Sequence, residues 1–264
     1  MTPSFADDFA SIEHALAPVV ANRAATLVAL DFDGVIAPIV ARPADARALP
    51  GMDEAMSDLA SRVARVAVVT GRPAADAVAM GGLESVPGLV VLGHYGLERY
   101  ENGEVTSPRH HAGVRPARAA LGQLASSRPG VTVEDKSHSV AIHTRNAPDP
   151  AGSLAELTPL VEAIAAETDL QLTPGRFVLE LRPPGIDKGV ALLGLIDEVG
   201  ARVVVYAGDD IGDLPAVDAL RSRSDITGVV VCSDAEEASA ELRRQADLVV
   251  PGPKGVLSVL RALR

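Results

Sequence analysis

Two carboxylates stand two residues apart in Leu30-Asp31-Phe32-Asp33-Gly34, directly after an apolar run. On a β-strand, residues i and i+2 face the same side. The glycine behind them lets a backbone come close to a ligand. Such a pair suits a metal ion or a phosphoryl group. In Val68-Val69-Thr70-Gly71-Arg72-Pro73, a second apolar run ends in a hydroxyl and a glycine, with proline where a helix can begin. A hydroxyl beside fresh helix N–H groups can cradle phosphate oxygens.

Gly185-Ile186-Asp187-Lys188-Gly189 sets a lysine at the start of a helical pattern, where a cation opposes the helix dipole. An anion sharing the site would account for it. Only three of the 24 basic residues are lysines, Lys136, Lys188 and Lys254. Gly208-Asp209-Asp210-Ile211-Gly212-Asp213 gathers three carboxylates after another apolar run. They repel one another unless a cation compensates. Oxygen-only ligands favour a hard ion, most simply Mg²⁺. Taken singly, each string also fits a turn, an N-cap, a solvated lysine or exposed acids.

The elements that must position these groups are legible from hydrophobic pattern. Short β-branched runs at 25–30, 63–69, 89–92, 202–206, 227–231 and 248–250 are apolar on both faces, as in a parallel sheet covered on both sides. Helical spacing fills 51–62, 74–80, 189–199, 213–221, 235–245 and 255–263, and residues 5–20 carry it through Phe9, Ile12, Leu16 and Val20. Alternating strands and helices predict an α/β fold, a doubly wound Rossmann-like parallel sheet. The alternation breaks between about residues 99 and 183. There the order is helix, strand pair, helix, strand pair, with turns at 135–138 and Pro174-Gly175. The prediction is a core domain from 1–107 and 184–264, with an inserted α+β cap domain at 108–183. All four chemical strings fall at the ends of core elements.

Composition sets bounds. The chain of 264 residues is 47% hydrophobic and 22% charged, a globular balance. Aromatic residues make up 3%, tryptophan is absent and the net charge is −11. These values argue against base stacking, phosphate-backbone binding and anionic lipid, so no nucleic acid and no membrane partner is expected. No apolar run reaches the roughly 18 residues of a membrane span. Asp7 and Asp8 sit where a secretory signal would be basic, so a cytoplasmic location is expected; the protein is also expected to be a monomer. The lone Cys232 excludes an intrachain disulfide and reads as a small buried hydrophobe. His110-His111 reads as a solvated pair.

Together the strand-end groups, in the order Asp-x-Asp, Thr, Lys, Asp-Asp, match the four motifs of the haloacid dehalogenase superfamily. Ala37-Pro38-Ile39-Val40, Gly96-Leu97-Glu98, Glu134-x-Lys136, His143-x-Arg145 and Leu179-Glu180-x-Arg182-Pro183 narrow the likeness. On these strings the chain resembles trehalose-6-phosphate phosphatases over essentially its full length. It departs from their pattern at Val35, Tyr95, Gly212 and Leu214. The resemblance implies a Mg²⁺-dependent phosphatase acting on a small-molecule sugar phosphate through an aspartyl-phosphate. It implies catalytic Asp31 (nucleophile), Asp33 (acid and base), Thr70 and Lys188. It implies metal ligation by Asp31, the Asp33 carbonyl and Asp209, with Asp210 and Asp213 behind them or acting through water. It implies substrate binding by Gly71, Arg72, Glu134, Lys136, Arg145 and Glu180. Related phosphatases of sucrose phosphate or glucosylglycerol-type phosphates share the core motifs, and a non-catalytic sugar-phosphate sensor would share the fold. A phospho-receiver domain is about half the length and lacks the second Asp.

Overall fold

The computed structural model describes residues 5–234 and 239–263. Its strands are β1 (Thr26–Leu30), β2 (Arg65–Val69), β3 (Val90–Gly93), β4 (Glu98–Glu101), β5 (Glu104–Thr106), β6 (Thr132–Asp135), β7 (Val140–His143), β8 (Gln171–Gly175), β9 (Val178–Arg182), β10 (Val203–Gly208), β11 (Thr227–Ser233) and β12 (Leu248–Val250). Its helices are α1 (Phe5–Ala21), α2 (Met52–Ala60), α3 (Ala74–Gly81), α4 (Val114–Ser126), α5 (Pro150–Thr168), α6 (Lys188–Val199), α7 (Leu214–Ser222), α8 (Ala240–Gln245) and α9 (Gly252–Ala262). The chain divides into two units, Met1–Thr106 with Asp187–Arg264, and Ser107–Ile186.

In the larger unit the sheet order is β12-β11-β10-β1-β2-β3-β4-β5. The six strands from β12 to β3 are parallel. From β1 the chain winds outward through β2 and β3, then restarts on the other side with β10. That reversal between β1 and β10 is the switch point where ligands bind beyond the strand ends. Side chains alternate across β1. Val28 and Leu30 join the layer of α1, α2, α3 and α9. Leu27 and Ala29 join the layer of α6, α7 and α8. Residues buried on both faces explain why these strands read as continuous apolar runs. Cys232, on β11, is a fully buried free thiol. Burial, with Asp234 nearby, pushes its pKa to about 11.

Four details differ from the pattern reading. The sheet gains an antiparallel hairpin, β4–β5, whose strands are polar and carry no apolar run. Its turn is Asn102-Gly103, both with positive φ, the pairing that suits a two-residue hairpin. Second, α1 buries Leu16 and Val19, whereas Val20 is exposed; the Phe9 side chain lies outside the described residues. Third, α8 begins at Ala240, and residues 235–238 of the expected helix lie outside the described residues. Fourth, Pro174 and Gly175 belong to β8. The reversal falls after them, where Phe177 takes the positive φ.

The smaller unit is a four-stranded antiparallel sheet, β6-β7-β9-β8, with α4 and α5 on one face. Val140, Ile142, Leu179 and Leu181 point to that layer. The alternate residues point the other way and are mixed, with His143, Glu180 and Arg182 beside Ala141 and Val178. Among the described residues no helix is long and apolar enough to cross a membrane.

Leu181→Ala empties a fully buried position in the smaller unit. It should destabilise that unit by about 2–5 kcal/mol. In urea unfolding the loss should appear in one of two transitions. A single shared transition would show that the units unfold together.

Candidate active site

The parallel strands deliver the polar groups to one edge. Asp31 follows β1 and extends its ladder by one bond, Asp31 N–H to the Ala207 carbonyl (2.9 Å). The chain then turns sharply. The Phe32 carbonyl accepts from the amides of Ile36 and Ala37, and the Ser233 hydroxyl donates to the Gly34 carbonyl (2.6 Å). Gly34 has φ +72°, and a Cβ there would run into the Asp209 carboxylate. Glycine is therefore required on two counts, conformation and space. Asp209 lies just past β10, across the switch point.

Lys188 starts α6, capped by Asp187, whose carboxylate accepts from the Val190 N–H (2.8 Å). Its Nζ reaches Asp31 Oδ2 at 2.8 Å and Asp213 Oδ1 at 2.7 Å. Asp213 also accepts from the Tyr206 hydroxyl (2.5 Å) and from the amides of Asp209 (2.8 Å) and Asp210 (3.1 Å). Four donors match the roughly four lone-pair sites of a carboxylate. Asp213 is fully buried and its acceptor capacity is committed. Its part is to hold Lys188 and the loop after β10. No hydrogen bond among the described residues ends on the Asp209 carboxylate.

Burial raises Asp31 well above the ordinary carboxylate range, Lys188 opposes the rise, and Asp213 adds to it. Burial, then Asp213 and Asp31, pushes Asp209 up to about 10. Burial alone would lower the Lys188 ammonium, but Asp213 and Asp31 outweigh it and hold its pKa well above the ordinary lysine value.

The other core residues take distinct places. Thr70, buried, follows directly on β2; its Oγ1 accepts from the Arg72 N–H (3.2 Å). The Tyr95 ring lies against Gly71, so that a Cβ at 71 would meet the phenol oxygen at 2.7 Å. His94 and Tyr95 both have positive φ, an unusual pair for residues with side chains. Asp33 turns its carboxylate to the Arg72 guanidinium, Nε to Oδ2 at 2.6 Å and Nη2 to Oδ1 at 2.7 Å. Asp210 accepts from the Gly212 N–H (2.8 Å) and caps the turn that leads into α7.

Asp31, Asp209 and Asp213 bring ligand oxygens within 4.8 Å of one another. The carboxylates of Asp33 and Asp210 are not in that group. An all-oxygen, buried and mutually repelling set fits a hard divalent cation. Asp209, with no donor of its own, and Asp31 are the side chains open to it.

In the smaller unit, strand register aligns Glu134, Ala141, Glu180 and Thr173 in one row across the sheet, on the face away from α4 and α5. Glu180 is buried. It accepts from the Ser139 hydroxyl (2.5 Å), and Lys136 Nζ lies 3.5 Å from its other oxygen. Glu134 pairs with His143 (2.9 Å). Arg145 is exposed, two residues beyond, just past the end of β7. Sequence reasoning missed Ser139, Tyr206 and the pairing role of His143. The alternation of β7 could have placed His143 on the Glu134 face. Nothing local marks Tyr206, a buried aromatic in an apolar strand. His110 stacks on His138, with ring centres 4.6 Å apart.

Residues 29–248 match the family model described as trehalose-phosphatase. The chain belongs to this family. The trehalose-phosphate phosphatase of Mycobacterium avium (strain 104) is 36% identical over 236 residues, covering 81% of this chain and 57% of the relative. The chain thus spans little more than half the length of that curated relative. In fold it is similar to the C-terminal domain of C. albicans trehalose-6-phosphate phosphatase, with TM-score 0.79, 19% identity and 96% of each chain covered. It is also similar to the C-terminal domain of a Candida albicans trehalose synthase regulatory protein, with TM-score 0.71 and 14% identity over 94% of this chain and 97% of that one. Likeness at those identities shows the fold alone, which is the haloacid dehalogenase fold of this family.

The buried carboxylates make a cation-free site costly as pH rises. The folded state of Asp209 holds its proton up to about pH 10, against an ordinary value of 3.8. Metal-free stability should therefore fall as pH rises above about 4. A cation binds the ionised form, so the Tm increase on adding MgCl₂ should be larger at pH 8 than at pH 5. Asp209→Asn should raise the metal-free Tm and shrink the Mg²⁺ increment. Equal increments at both pH values, or in the variant, would count against a cation at these carboxylates.

Proposed function

We propose that this chain is a Mg²⁺-dependent phosphatase that hydrolyses trehalose 6-phosphate to trehalose and phosphate. The observation that carries the reading is the Lys188 ammonium held between Asp31 and Asp213 beside Asp209 at the switch point of the sheet. It sets one carboxylate, Asp31, at the strand end with a partly compensating cation beside it. Family membership and the named activity of the mycobacterial relative support the substrate.

In this mechanism an Asp31 oxygen attacks phosphorus as the bond to the sugar oxygen breaks, giving an aspartyl-phosphate. The leaving oxygen takes a proton from Asp33. A water then attacks the same phosphorus and gives its proton to the Asp33 carboxylate. Phosphate leaves and Asp31 is restored. Asp33 suits this alternation because, unlike Asp31, it is part-exposed and can exchange protons. Thr70, Gly71 and Lys188 bind the transferring oxygens, Lys188 as a point charge. Asp31, Asp209 and the Asp33 carbonyl would hold the cation, with Asp210 and Asp213 behind them, and it would supply the charge that offsets repulsion between the two anions.

The smaller unit acts as a cap that covers the substrate and excludes water. Its polar sheet face supports sugar recognition. Glu134 and Glu180 accept from hydroxyls and Lys136 donates to them. Arg145 engages the phosphate or the core. The net charge of −11 and the single cysteine support a cytoplasmic enzyme that binds neither nucleic acid nor membrane, and we take it to work as a monomer. A sugar-phosphate sensor is the second reading, because a regulatory protein shares the fold.

The test is phosphate release from trehalose 6-phosphate, sucrose 6-phosphate and glucose 6-phosphate, with MgCl₂ or EDTA, beside Asp31→Asn. Preference for trehalose 6-phosphate, abolished by EDTA and by the substitution, is expected. Turnover of a different sugar phosphate would remove the assignment of Glu134, Lys136 and Glu180. Binding without release would favour the sensor.

A further inference from the structure

The Arg72 guanidinium is committed to Asp33. Nε and Nη2 meet the two carboxylate oxygens at 2.6 and 2.7 Å, a bidentate pair. Its carbon centre lies 5.3 Å from the centre of the Phe32 ring, and Nη1 lies 3.1 Å from Met80 Sδ. Phe32 is the residue between the two catalytic aspartates. The backbone is fixed as well, since the Arg72 N–H donates to Thr70 Oγ1 and its carbonyl accepts from the His94 N–H (2.9 Å). The arginine side chain is 14% exposed and the aspartate 41%. The Asp33 carboxylate is thus the more accessible member of the pair.

We propose that Arg72 is a positioning residue for Asp33 and does not itself grip the substrate. This rests on the phosphatase reading and on Asp33 as acid and base. A group that must lose a proton and regain one during a turnover has to stay in place in both states. The two donors take one lone pair on each oxygen. Each oxygen keeps another, and that is where the transferred proton can sit. The Phe32 ring beneath the guanidinium adds a cation–π contact to the pair. A lysine at 72 would supply the charge but not the fork.

The leaving group separates this role from phosphate binding. The ratio kcat/KM covers only the steps up to departure of the leaving group. A sugar alkoxide needs a proton at that step, whereas p-nitrophenolate does not. Arg72→Gln should lower kcat/KM for trehalose 6-phosphate about 100-fold, the usual worth of general acid catalysis, with at most a tenth of that loss for p-nitrophenyl phosphate. In an Asp33→Asn background the same substitution should change the sugar-phosphate value less than about threefold, because coupled residues are not additive. Arg72→Lys, measured beside it with a urea transition for each variant, keeps the charge and should restore little.

Equal losses on both esters, with weaker inhibition by inorganic phosphate, would assign Arg72 to phosphate binding and overturn the proposal. So would a full additional loss on top of Asp33→Asn, or rescue by lysine. If the unsubstituted protein hydrolyses no phosphate ester, the phosphatase reading itself fails, and the assignment of Arg72 falls with it.

Discussion

Three carboxylates share a dry sheet edge in this protein, and one ammonium stands among them. Removing an ion from water costs several kcal/mol even after relaxation, and like charges add to the cost. Lys188 offsets part of it by reaching Asp31 and Asp213 together. Much of the larger unit can be understood as what brings that nitrogen and those oxygens to one point. β1 and β10 pair in register and end beside each other. The first turn of α6 delivers the lysine, with Asp187 capping the helix. Tyr206 and two backbone amides fill the lone pairs that Lys188 leaves on Asp213.

Chemically similar aspartates are thereby given different environments. Asp213 is sealed and saturated, and works through what it holds. Asp209 is buried and, among the described residues, no donor reaches its carboxylate, so it is free to serve a cation. Asp31 is buried but shares its lysine. Asp33 stands part-exposed on an arginine. Asp210 caps a turn. In the proposed reaction the same side chain would serve as anchor, ligand, nucleophile, proton carrier or cap according to its solvation and partners.

The parallel sheet was legible because burial on both faces leaves an unbroken apolar run, as in β1 and β10. The strand-end groups were legible because side-chain type and spacing survive without coordinates. The β4–β5 hairpin escaped because its residues are half-exposed in β4, exposed in β5 and mostly polar, so that only Asn102-Gly103 signalled it. Val20 was misplaced by one position because α1 presents Val19 inward, and adjacent valines cannot be told apart by spacing. The partners of the site were less legible than its members. That Arg72 holds Asp33 is a contact across 39 residues, and that Tyr206 serves Asp213 depends on register. No local pattern records either.

The sheet also encloses the chain's one sulfur nucleophile. Cys232 lies on β11, flanked by β10 and β12, and it keeps its proton far above neutrality. A maleimide or an oxidant acting on the thiolate finds almost none in the folded molecule. The native sequence is therefore a quiet background for chemical labelling. A cysteine placed on the exposed surface of either unit would be the single reactive thiol, and could carry a dye or a spin label without first removing the natural one.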